Sequence, residues 1–143
     1  MDTPDNNLAL IRKAYEAFGH GDIPTVVNMM TENIVFQVAE GGPYGGTYHG
    51  HDEVLNSIFM RLGSEWEGFK VKPEELIDKG EVVIALGEYS GIYRATGKLL
   101  KSPFVHVWRI KNGKIYQYRQ YTDTAIFQQA VEGPQKHDIA SQM

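Results

Sequence analysis

The feature that most limits what this chain can become is the pair Asn112-Gly113. Both residues tolerate the positive φ of a two-residue type I′ turn, and they separate two segments in which apolar and polar residues alternate. The pair therefore predicts a β-hairpin with Lys111 opposite Lys114. Counting outward sets Trp108 opposite Gln117, His106 opposite Arg119 and Phe104 opposite Tyr121. Because side chains alternate along a strand, one face is expected to carry Phe104, His106, Trp108, Gln117, Arg119, Tyr121 and Asp123. Thr96-Gly97 reads as a second two-residue turn. It places Tyr89 opposite Phe104, Gly87 opposite His106 and Gly91 opposite Ser102, and adds Ala85, Gly87, Tyr89, Gly91 and Tyr93 to the same face. Aromatic walls with a few convergent polar groups suit a small-molecule pocket, and the two glycines are expected to leave space above the sheet. The opposite face holds Val82, Ile84, Leu86, Ile92, Val105, Val107, Tyr116 and Tyr118. It is too apolar to face water, so a homodimer through this outer face is expected, the alternative being that bends and bulges bury it within one chain.

Helical periodicity precedes the strands. Leu8, Ile11, Tyr15 and Phe18 recur every three or four residues, and the helix ends near Gly19 and Gly21. Asp22 caps a second, short helix reaching Met30, with Pro24 in its first turn. Residues 34–38 read as a strand, and the glycine-rich stretch 40–50 as a loop or broken hairpin. Val54, Leu55, Ile58, Phe59 and Leu62 mark a third helix over about 51 to 62. Strands follow over about 68–78, 82–95, 98–110 and 114–123, then a short helix from Asp123-Thr124 to Ala130. Helices first and strands later predict an α+β fold: a strongly curved antiparallel or mixed sheet wrapped around three N-terminal helices, cone-shaped with an internal pocket. No linker divides the chain, so residues 1–132 are expected to form one domain and 133–143 a loose tail.

Charge excludes several functions. The net charge is -4 and the basic residues are scattered, so neither nucleic acid nor an anionic membrane is an expected partner. No apolar run approaches the length needed to cross a bilayer, and the polar, acidic start MDTPDNN is not a secretory signal. A cytoplasmic location is expected. Cysteine is absent, which removes disulfides, thiol nucleophiles and thiolate metal sites. His49-Gly50-His51-Asp52 has metal-binding atoms, but alternation sends the two histidines apart, so no metal is expected. Gly41-Gly42 and Gly45-Gly46 lack the strand-to-helix setting of a phosphate loop and read as a lid or loop.

Several segments together resemble the nuclear-transport-factor-two-like superfamily, and within it SnoaL-like polyketide cyclases and ketosteroid-isomerase-related proteins. They are Leu10 to Phe18 followed by Gly21-Asp22, then Tyr48-His49-Gly50, Phe104 to Arg109, Asn112 to Ile115 and Tyr121-Thr122-Asp123. The resemblance implies a cone with a deep pocket, commonly a homodimer, and no cofactor. It does not imply one chemistry. The tyrosine of a steroid isomerase falls on Ala14, its base on Val38 and its sheet aspartate on His106. That reaction is therefore not expected. SnoaL-like cyclases resemble this chain in a sheet histidine and a late aspartate, which match His106 and Asp123.

The expected function is a cofactor-free isomerase, cyclase or lyase acting on an apolar, carbonyl-bearing compound. Asp123 is the candidate acid or base, and His106 and Arg119 the candidate oxyanion holders. Tyr15, Phe18, Tyr48, Tyr89, Phe104, Trp108 and Tyr121 are the candidate substrate-binding residues. Each has a plainer role: Asp123 as the cap of the last helix, His106 as a buried histidine bonded to a tyrosine, Arg119 in a salt bridge, the aromatics as core. Arg119 and Asp123 are about 13 Å apart at strand rise, too far for His106 and Asp123 to pair directly on an ordinary sheet. A non-catalytic binder of an apolar ligand and a module acting through its outer face are the alternatives. An epoxide hydrolase ranks lower, because it needs an acidic pair and only one inward acid is visible.

Overall fold

The Asn112-Gly113 turn forms as its residues require in the computed structural model, which describes residues 4–133. Asn112 has φ 51 and Gly113 φ 74, and Lys111 stands opposite Lys114. Most of the expected C-terminal tail, 134–143, lies outside the described residues.

Around this hairpin the chain builds one mixed sheet. Its strands are β1 (Met30–Val38), β2 (Gly46–His49), β3 (Trp66–Asp78), β4 (Val82–Tyr93), β5 (Leu99–Lys111) and β6 (Lys114–Thr122). Their order is β2-β1-β6-β5-β4-β3, so β2 and β3 are the open edges. Neighbours run antiparallel except β1 and β6, which are parallel. The glycine-rich stretch is a broken hairpin, with β2 folding back on β1 so that Val35 faces His49 and Val38 faces Gly46. Helices α1 (Pro4–Gly19) and α2 (Ile23–Asn28) precede the sheet. The third helix is continuous but changes pitch: α3 (Gly50–Val54), a π-helical turn (Leu55–Phe59) and α4 (Met60–Glu65). Helix α5 (Thr124–Val131) closes the described chain. Register shifts within β3, β5–β6 and β1–β6 bend the sheet, since each bulge adds local twist. Its concave face packs on the helices around a core that includes Ile11 and Ala14 of α1, Ile58, Trp66, Trp108 and Phe127.

One bulge overturns half of the face expected from the hairpin. Ile110 pairs with Ile115, but Arg109 pairs with Gln117, so Tyr116 is an extra residue. From there on β6 points the other way. Trp108 faces Tyr118 and His106 faces Gln120. Gln117, Arg119 and Tyr121 lie on the outer face instead, and Arg119 and Tyr121 are exposed. Ile115 and Tyr118 are three residues apart and both buried, which strict alternation cannot satisfy. Letting Tyr116 out, at 40% exposure, buries both.

The second turn also differs, with less consequence. The Tyr93 and Gly97 amides donate to Lys98 O and Tyr93 O, at 3.0 and 2.7 Å, so residues 94–97 form the loop rather than Thr96-Gly97 alone. The buried Thr96 hydroxyl donates to Ala130 O at 2.7 Å and accepts from the Lys98 amide at 3.2 Å, which ties the longer loop to α5. The register slides by two, so Ala85 faces His106, Gly87 faces Phe104 and Tyr89 faces Ser102, but every side chain keeps its face.

Gly87 and Gly91 do not open space above the sheet. A Cβ on Gly87 would lie 2.1 Å from Lys72 O and 2.5 Å from Phe104 Cζ. On Gly91 it would meet Phe69 Cα at 3.2 Å. Both glycines let the bulged β3 backbone lie close over β4. Gly87→Ala should therefore lower stability by about 1–3 kcal/mol or more in a denaturant titration. Gly63→Ala, in a helix with nothing within 4 Å of the added carbon, should raise it by roughly 0.5–1 kcal/mol.

Candidate functional site

A cavity lies between the concave face of the sheet and the helices. Its walls come from α1 (Ala14, Tyr15, Phe18), the third helix (Ile58, Phe59, Leu62), the loop Gly42-Pro43-Tyr44, the inner residues of β4 to β6, and Thr124 and Phe127 of α5. Its volume is about 80 Å³. Among the described residues, no Asp, Glu, Lys or Arg lines it.

His106 is the polar centre of this cavity. Its side chain is 3% exposed, and both ring nitrogens are engaged. Nδ1 lies 2.7 Å from the Tyr15 hydroxyl, and Nε2 is bonded to the Tyr89 hydroxyl. Trp108 Nε1 donates to the Tyr15 oxygen at 2.9 Å, and Gln120 Nε2 donates to the Tyr89 oxygen at 2.8 Å. The Gln120 amide is oriented by the Ala39 amide, which donates to its Oε1 at 3.4 Å. Phe104 stacks beneath the imidazole, with centroids 4.0 Å apart and planes at 13°. Helix α1 delivers Tyr15 because Ala14 beside it is small and buried, letting the helix sit close to the sheet.

The electrostatics favour neutrality throughout. Burial holds the His106 pKa well below its usual value. Desolvation raises the Tyr15 phenol, against the bond from Trp108, and raises Tyr89 and Tyr118 as well. The group therefore operates as a phenol–imidazole–phenol chain without net charge.

The loop over the cavity has its own anchor. Tyr44 donates to Glu65 Oε1 at 2.6 Å and accepts from Trp66 Nε1 at 2.7 Å, with the Arg61 guanidinium 4.6 Å from its ring centroid. Burial alone would raise the Glu65 pKa, but the bonds from Arg61 and Tyr44 outweigh it and the net shift is downward. Tyr48 lies outside the wall and donates to Tyr44 O at 2.7 Å, so it supports the loop.

The sequence-predicted residues thus divide. His106, Tyr15, Phe18, Tyr89 and Trp108 line the cavity, and Phe104 lies under His106. Arg119 and Tyr121 stack on each other on the outer face, 5.0 Å from guanidinium carbon to ring centroid. Asp123 is exposed, and its Oδ1 accepts from the Ile126 amide at 3.1 Å, the cap of α5. The expected trio of His106, Arg119 and Asp123 is therefore not assembled, because the Tyr116 bulge turns Arg119 away and the cap engages Asp123. Gln120, Thr122 and Tyr118 occupy the inner positions instead. The three-residue spacing of Ile115 and Tyr118 is the signal in the sequence that marks the shift. Among the described residues, no group of three or more His, Cys, Asp or Glu stands close enough to hold a metal. No described helix is long and apolar enough to cross a membrane.

This geometry has known relatives. The SnoaL-like domain family model matches residues 11–118, and the chain belongs to that family. A nuclear-transport-factor-two-like protein from Burkholderia thailandensis E264 is 37% identical, with 93% of this chain and 100% of that one covered and a TM-score of 0.86. A protein of the same class and of unknown function, from Burkholderia pseudomallei K96243, is 30% identical over 90% and 98% of the two chains, with a TM-score of 0.82. A Jannaschia sp. CCS1 protein provisionally named a SnoaL-like polyketide cyclase shares the fold at 15% identity, covering 91% and 94%, with a TM-score of 0.79. No curated protein matches the chain.

Two expectations follow. His106 binds a proton more weakly folded than unfolded, so below its unfolded pKa of about 6.5 the unfolded chain holds the extra proton and stability falls as pH falls. His106→Gln should flatten the part of the stability–pH profile that lies just below that value, as read by denaturant titrations from pH 7.5 to 5. Tyr44→Phe removes the donor to Glu65 and the acceptor of Trp66. It should speed amide exchange in residues 40–46 while leaving β5 and β6 protected, as measured by hydrogen–deuterium exchange.

Proposed function

We propose that this protein binds an uncharged, largely apolar small molecule bearing a carbonyl oxygen, and acts on it by acid–base chemistry of the isomerase, cyclase or lyase kind. The observation that carries the reading is a buried histidine held between two tyrosine hydroxyls in a largely apolar cavity. Asp123 and Arg119 have no part in it, and His106, Tyr15 and Tyr89 take the polar role. An uncharged wall excludes charged ligands, since a buried ion with no counter-charge is strongly disfavoured. Trp108 lines the cavity, so its fluorescence reports occupancy. Neutral aryl ketones such as 2-tetralone should quench it, and a carboxylate of equal size, 2-naphthoate, should bind at least about 100-fold more weakly. Equal affinity for the two would overturn the reading. The rival, a non-catalytic carrier, draws support from the mutual bonding of the polar groups, and it requires that a bound ketone leave unchanged.

The partner supported for the outer face is a second copy of the chain. Adjacent rows place Ile77, Ile84 and Val107 beside Arg119, and Glu75, Leu86 and Val105 beside Tyr121. An apolar stripe carrying both charge signs at its margins is complementary to itself under a two-fold axis. Val107→Asp should convert a sedimenting dimer to monomer without loss of helical and sheet circular dichroism. A wild-type monomer at 100 µM would rule the dimer out.

A further inference from the structure

The imidazole of His106 stands between the hydroxyls of two tyrosines that line the cavity, and the donors around it leave few arrangements of protons. Trp108 can only donate, so the Tyr15 oxygen always accepts one bond. The Ala39 amide fixes the Gln120 carbonyl, so the amide nitrogen faces Tyr89 and the Tyr89 oxygen also accepts one. A neutral imidazole carries one N–H. With that proton on Nε2, it donates to Tyr89, and Tyr15 donates to Nδ1. Tyr89 then has its own O–H free, and Tyr15 retains a lone pair. With the proton on Nδ1 the ends exchange roles: Tyr15 has the free O–H and Tyr89 donates to Nε2.

The geometry points to a neutral proton relay, Tyr15–His106–Tyr89, that takes a proton from one position of a bound, enolisable ketone and returns one at another. The inference rests on the reading that the cavity binds such a ketone. The protons balance without a co-reactant. The substrate C–H bond breaks as a proton passes to the Tyr15 oxygen, and its electron pair forms the new C=C bond. The original Tyr15 proton moves to Nδ1. The Nε2 proton moves to the Tyr89 oxygen. The original Tyr89 proton passes to the carbonyl oxygen, whose π pair becomes the new O–H bond. Ketone becomes enol, and His106 becomes the other tautomer. At no point does the protein need a separated imidazolium and enolate, which an apolar cavity would not stabilise. The next proton transfer runs in the opposite sense, or water at the mouth restores the first tautomer.

The probe is 2-tetralone. Its α-hydrogens are followed by proton NMR in deuterated buffer, and its binding by Trp108 fluorescence. Wild-type protein should accelerate α-exchange by about 100-fold or more over buffer. Tyr15→Phe and Tyr89→Phe should each return exchange to the buffer rate, with tetralone affinity kept within about tenfold, because either change interrupts the chain. Wild-type exchange in either variant overturns the relay, as does tetralone that binds without exchanging; that second result leaves the binding reading intact. Tetralone that does not bind overturns both. If a variant does not fold, nitrogen-15 NMR of His106 in the wild-type protein decides. One protonated and one bare ring nitrogen in the tetralone complex is expected, and an imidazolium overturns the relay.

Discussion

One buried histidine ties α1 to the middle of the sheet, and the cavity between them depends on how that histidine is satisfied. His106 reaches Tyr15 across 91 positions of sequence and Tyr89 across 17, so it joins the first helix, the fourth strand and the fifth. A buried imidazole with an unpaired nitrogen would destabilise the fold by about 1–3 kcal/mol, which makes both tyrosines structural before they are anything else. Trp108 and Gln120 then satisfy the tyrosines, and Phe104 supports the ring from below. Because these groups bond one another, an apolar cavity can contain a polar centre without containing a charge.

The bulge at Tyr116 decides which residues that centre meets. A strand has two faces, and one extra residue exchanges them for the rest of its length. Without it, Arg119 would stand in the cavity beside His106 and Tyr118 would be outside. With it, the inner residues of β6 are Tyr118, Gln120 and Thr122, which are neutral and able to donate or accept. The inner row of β6 is therefore uncharged because of a local backbone feature.

The close approaches of β3 serve a second purpose. Gly87 and Gly91 allow the bulged edge strand to lie against β4, which increases the curvature of the sheet. Curvature makes room over the middle of the sheet, where aromatic side chains from α1, β5, β6 and α5 form the walls. The loop Gly42-Pro43-Tyr44 completes them, pinned by Tyr44 to the Glu65-Trp66 corner. The glycine-rich stretch is thus a wall with a latch, held by neutral and charged bonds at the end of α4.

Much of this was determined by the sequence alone. Asn112-Gly113 specified its hairpin, because few residue pairs accept two positive φ values in succession. Helical spacing in residues 8–18 specified the face carrying Tyr15 and Phe18, and Asp22 and Asp123 specified two helix starts through their own backbone bonds. The inner face of β4 and β5, and with it His106, Tyr89 and Trp108, was legible because alternation survives a register slip of two. Arg119 and Tyr121 were misplaced because a slip of one depends on whether Tyr116 or its neighbours are better buried. That is a comparison of packing against α1 and β1, which lie far away in sequence. The partnership of Tyr15 with His106 was likewise decided by tertiary structure, since no local rule brings a helix at one end of the chain over a strand near the other.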